Sequence, residues 1–66
     1  MNLNDDRIKY ELEKFVDTKS LQTILIFLSQ IAYAKSEHIR ENWQDYNLAD
    51  SWENDAVKIS KIEVLN

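Results

Sequence analysis

The chain has 66 residues, no Gly, Pro or Cys, and a net charge of −4. This length allows one domain at most, spanning 1–66, and a monomer of such size buries only about 60% of the surface its unfolded chain exposes. Without Cys there are no disulfides and no thiolate metal sites, so oligomerisation is left as the remedy for a small core.

The charge is spread evenly. Residues 1–20 carry four basic and five acidic groups, 21–46 two and three, and 47–66 two and four. No segment has the basic excess of a nucleic-acid footprint, so no nucleic-acid partner is expected. The opening MNLNDDRIKYELEK is too charged for the apolar region of a signal peptide. The densest apolar run, Ile24 to Leu28, is far short of the ~20 residues that cross a bilayer. A soluble cytoplasmic protein with no membrane partner is the expectation.

The spacing predicts a first helix over about 6–16, with Asp5 or Asp6 at its start and Ile8, Leu12 and Phe15 on its apolar face, Val16 beside them. Lys9 and Glu13 lie opposite, and Tyr10 and Lys14 form an i,i+4 pair. Polar residues from Asp17 to Ser20 break the pattern, and Asp17 or Thr18 is the expected cap of the second helix.

The second helix, about 18–46, is the spine. Leu21, Leu25, Leu28, Ala32, Ile39, Trp43 and Tyr46 fall within about 60° of one another at 100° per residue. Ile24, Phe27, Ile31 and Ala34 form a second apolar flank, and Ile26 and Tyr33 lie on the far side. A helix apolar around most of its circumference is buried around most of it. Two neighbouring helices cover two sides, so Ile24, Ile26, Phe27, Ile31 and Tyr33 are the expected oligomer interface.

Asn47 is suited to a left-handed helix end, and Asp45 or Asn47 to capping a third helix over about 48–62. That helix has Leu48, Trp52, Ala56, Ile59 and Ile62 on one face, and the last residues, Ile62 to Leu65, alternate in a pattern that suits either a frayed end or an isolated extended tail. The expected fold class is all-α: a short–long–medium three-helix hairpin-type bundle, completed by homodimerisation through the long central helix.

Three constellations bear on chemistry. His38, Asn42 and Asp45 continue the second flank of the spine in polar form, with Glu41 alongside. Doubled by a two-fold axis, His38, Glu41 and Asp45 offer a divalent-metal or acid/base site. The simpler reading is a His38 hydrogen bond to Asn42 or Asp45 at a helix–helix contact, since no Glu-x-x-His or His-Glu-x-x-His pattern is present. Lys35 sits on the main apolar stripe, where a lysine snorkels or pairs far more often than it acts as a nucleophile.

The stretch from Glu41 to Asp55 has five acidic residues and no Lys or Arg, with Trp43, Tyr46 and Trp52 among them. Aromatic side chains among acids suit a basic protein surface, so Trp43, Tyr46, Asp50, Glu53 and Asp55 are the expected partner-binding residues. Against this, both Trp residues fall on apolar stripes and are expected to close the corner between the second and third helices. A calcium loop at Asp45 lacks its Gly, and phosphate loops and nucleophile elbows need Gly. A DNA-reading third helix would need a basic face, where residues 47–66 offer only Lys58 and Lys61 against four acids.

The expected function is therefore a small acidic interaction module of the adaptor, antitoxin or inhibitor type. It has no cofactor, is not an enzyme, and has itself and another protein as partners. The alternative is a small metal-dependent or acid/base enzyme with a shared site at His38, Glu41 and Asp45.

Overall fold

Three helices form among the described residues, and side-chain hydrogen bonds from Ser20 and Asp45 cap the starts of the second and third. The computed structural model describes residues 3–66, with α1 at Leu3–Lys19, α2 at Leu21–Asn42 and α3 at Tyr46–Ser60. The fold is all-α, with no strand among the described residues. No helix there is long and apolar enough to cross a membrane.

Helix α1 outruns its expected end, and Thr18 bonds back onto it. The Thr18 hydroxyl donates to the Lys14 carbonyl at 2.8 Å, so Thr18 continues α1 and caps nothing. Asp5 and Asp6 occupy the first turn and Lys19 the last, matching the helix dipole at both ends. The cap of α2 is Ser20, where Asp17 or Thr18 was expected. Its Oγ accepts from the Thr23 N–H at 3.2 Å. The Ser20 N–H still donates to Val16 and its carbonyl accepts from Ile24, so α1 and α2 meet at one residue. With φ at 99° and no glycine, that residue stores backbone strain on the order of 1–3 kcal/mol.

Helix α2 ends at Asn42, four residues before the expected Tyr46. Gln44 takes the left-handed conformation (φ 54°) that was expected at Asn47, and Asp45 caps α3 by accepting from the Leu48 N–H at 3.1 Å. A three-residue link folds α3 back antiparallel on α2. Trp43 leaves the helical stripe at this turn and stands 70% exposed, and Tyr46 is exposed beside it.

The seam between α2 and α3 is made of small side chains. Ser29, Ala32, Ser36 and Ile39 on α2 are buried against Ala49 and Ala56 on α3. Their spacing of three and four residues is that of two helices meeting along one stripe. Leu25, Trp52, Val57 and Ile59 flank the seam half-buried. Compared with the expected stripe, the buried face is rotated by about 30° toward Ser29 and Ser36. Leu28, central to that stripe, is accordingly 42% exposed, and Lys35 is exposed rather than set on an apolar contact.

Beyond α3 the chain runs extended along the start of α2, held by Gln22. The Gln22 side chain accepts from the Val64 N–H at 2.9 Å and donates to the Ile62 carbonyl at 3.3 Å. Its backbone N–H, free in a first helical turn, donates to the Asn66 carbonyl.

Ser29 satisfies its hydroxyl on the Ile26 carbonyl at 2.8 Å, whereas Ser36, 1% exposed, has no partner for its Oγ among the described residues. Ser36→Ala removes that orphan and improves helix propensity, so it is expected to raise stability by about 1 kcal/mol. Ile39→Ala, at the same seam, is expected to cost about 2–5 kcal/mol. Urea denaturation followed by circular dichroism checks both; a destabilised Ser36→Ala would show that the hydroxyl is bonded.

Candidate functional site

Two surfaces stand out once the seam is in place, an apolar trough between α1 and α2 and an acidic–aromatic end where α2 turns into α3. The trough follows from the circumference of α2. With Ser29, Ala32 and Ser36 turned toward α3, helical periodicity sends Phe27 and Ile31 to the opposite side and Ile24 and Leu28 to its flank. Leu12 and Phe15 of α1 face these residues across a hollow of about 370 Å³, walled otherwise by Ile24 and the stem of Lys19. The five residues expected to form one interface therefore separate. Ile24, Phe27 and Ile31 line the trough, while Ile26 and Tyr33 project beside α3, both exposed.

The acidic–aromatic end combines exposed rings with partly compensated charge. Trp43 and Tyr46 are exposed at the turn and Trp52 is half-buried at the seam. Asp55, also exposed, lies about two and a half turns along α3 on the face opposite Tyr46 and is not brought to them. Asp50 and Glu53 share one cation. Arg40 Nη2 lies 2.9 Å from Asp50 Oδ1 and 3.8 Å from Glu53 Oε2, tying α2 to α3. Arg40 stands one residue before the stretch without basic groups, so the sequence pattern overstates the free negative charge there. Its place four residues before Gln44 and next to the seam is the signal that foretells the pairing.

His38, Glu41 and Asp45 do not come together within one chain. Asp45 is committed to the N-terminus of α3, and all three are exposed. The His38 Nδ1 lies 3.1 Å from Asn42 Nδ2, which also donates to the His38 carbonyl at 3.0 Å. The i,i+4 pair thus closes on itself. Among the described residues no group of three His, Asp or Glu side chains is arranged to hold a metal ion.

On α1, Lys14 stacks its ammonium 4.4 Å from the centre of the Tyr10 ring and lies 3.7 Å from Glu11, on the side away from the trough. Comparison with protein-family models, with curated proteins and with solved structures finds no match for this chain.

The ion pairs of Arg40 are largely open to solvent, which limits their worth to about 0–1 kcal/mol. Arg40→Gln is expected to destabilise by less than about 1 kcal/mol at low salt. The difference from wild type should vanish at 1 M salt, where the screening length is ~3 Å. Urea denaturation at both salt concentrations checks this, and a loss that survives 1 M salt would point to packing of the arginine stem instead.

Proposed function

We propose that this chain is a small acidic interaction module, of the adaptor, antitoxin or inhibitor type, that acts as a homo-oligomer and binds another protein. The observation that carries the reading is the amount of apolar side chain left outside. Ile8, Leu12, Phe15, Phe27, Leu28 and Ile31 are all exposed, although they follow helical core spacing. Exposed apolar surface on this scale marks a place where protein meets protein.

In this reading self-association uses the apolar side of α2, and the other partner meets Trp43 and Tyr46, with Asp50 and Glu53 at the edge. Exposed aromatic rings supply the binding contacts and carboxylates select a basic surface. A cytoplasmic setting goes with the reading, because a chain of this size without cysteine gives up the disulfides on which small secreted domains rely. It calls for no cofactor and no reaction.

Sedimentation equilibrium at micromolar concentration is expected to return about twice the chain mass of 7.9 kDa. A mass of one chain across that range would remove the homo-oligomer. For the second partner, Trp43→Ala and Tyr46→Ala are the informative variants in a nuclease-treated pull-down. Both positions are exposed and outside the seam, whereas Glu53→Lys would set a cation against Arg40. A discrete protein retained by wild type and lost by both variants supports the acidic–aromatic end as its site.

A further inference from the structure

The surface of the chain is too large for its mass. Folded monomers follow an area of about 6.3 times mass to the power 0.73, which gives roughly 4,400 Å² for 7.9 kDa. The chain exposes 5513 Å², roughly 1,100 Å² more. Its radius of gyration is 14.0 Å, where a compact domain of this length has about 11 Å. A stable interface of ordinary size removes about 800 Å² from each partner, so one interface accounts for most of the excess.

Helix α1 accounts for much of it. From Asn4 to Lys19 every residue but Val16 is exposed, Ile8 and Phe15 to 57% each. A 17-residue helix with so little cover is marginal by its own propensity. Three hollows adjoin along this side. One of about 520 Å³ lies on α1 and shares Leu12 and Phe15 with the trough; the trough in turn shares Ile31 with one of about 380 Å³ that reaches Ala34 and His38. Together they make one apolar furrow along both helices.

The charges beside the furrow fit a second copy better than a charged partner. Arg7, Lys19 and Lys35 line the furrow against one acid, Glu11, while α1 as a whole carries four basic groups and five acids, so a second copy itself supplies carboxylates to meet the basic lining. Asp5 and Asp6 stand in the first turn of α1, and Lys19 shares its last with Asp17. An antiparallel copy sets the acidic first turn of each chain toward Lys19 of the other, the self-complementarity that a two-fold interface requires.

We propose that a second copy of this chain covers the furrow, in a two-fold dimer whose core is α1 and α2 of both copies packed as four helices. This rests on the self-association reading above and assigns it a surface. Ile8, Leu12, Phe15, Phe27 and Ile31 lie inside the interface. Ile26 and Tyr33 lie outside it, beside α3, and the acidic–aromatic end stays open for the other partner.

The test compares Phe15→Glu with Tyr33→Glu by sedimentation equilibrium, together with hydrogen exchange of the wild-type α1 amides across a concentration series. Phe15→Glu is expected to weaken self-association on the order of 100-fold, because it places a carboxylate in an apolar contact. Tyr33→Glu is expected to leave it within about threefold of wild type, as befits a substitution outside the interface. In wild type, the amides of residues 8–16 should gain protection as concentration rises through the dissociation constant. Should Phe15→Glu fail to fold, that exchange series decides alone. A wild type that self-associates through Tyr33 but not Phe15, or whose α1 exchange ignores concentration, overturns the furrow while leaving self-association standing. A monomeric wild type overturns both.

Discussion

Helix α2 is apolar on almost every side and has one well-packed neighbour. Everything else in the molecule follows from that imbalance. Helix α3 is joined by a three-residue turn and lies along the stripe where α2 carries Ser29, Ala32, Ser36 and Ile39, facing Ala49 and Ala56. Small side chains on both helices permit a close approach but remove little apolar area from water, so the seam positions α3 without yielding a large core. The bulky residues Phe27, Leu28 and Ile31 are left on the other side, where α1 offers partial cover. A single strained residue, Ser20, joins α1 to α2, so α1 is set at an angle by backbone geometry rather than by packing.

This arrangement gives the two ends of the molecule different characters. Near the α2–α3 turn, charge and hydrogen bonds are used locally: Asp45 on a helix end, Arg40 between two carboxylates, Asn42 on His38. What remains outward there is the pair of exposed rings, Trp43 and Tyr46. Along α1 and the back of α2 the outward groups are aliphatic and aromatic, with balanced charge around them. The proposed dimer and the proposed second partner thus call on separate surfaces, and occupancy of one leaves the other open.

Much of the fold was legible in the pattern of residues. The three helices, their order, the apolar excess of the central one and the Asp45 cap all follow from spacing and capping chemistry. The missed features have particular causes. Ser29 and Ser36 lie outside the expected apolar stripe, yet at a helix–helix contact their size matters more than their hydroxyls, and the buried face turns toward them. Thr18 read as a cap, but a threonine bonded to its own helix at Lys14 extends that helix. Trp43 and Tyr46 continued the periodicity of α2 on paper; the chain turns before them because the turn brings Ala49 and Ala56 onto the seam. The acidic–aromatic end was visible as a composition, while Arg40, which offsets part of its charge, lay one position outside it. The contribution of α1 to the apolar furrow was hidden because Ile8, Leu12 and Phe15 were read as cover for α2 within the chain.

The central claim is that this chain reaches a stable folded state by covering its apolar side with a copy of itself. Calorimetric melting at two concentrations a hundredfold apart tests it most directly, since a fold that depends on association becomes more stable by mass action. A midpoint that climbs by several degrees with concentration is the expected result. An unchanged midpoint, with the transition as cooperative at the low concentration as at the high one, would contradict it.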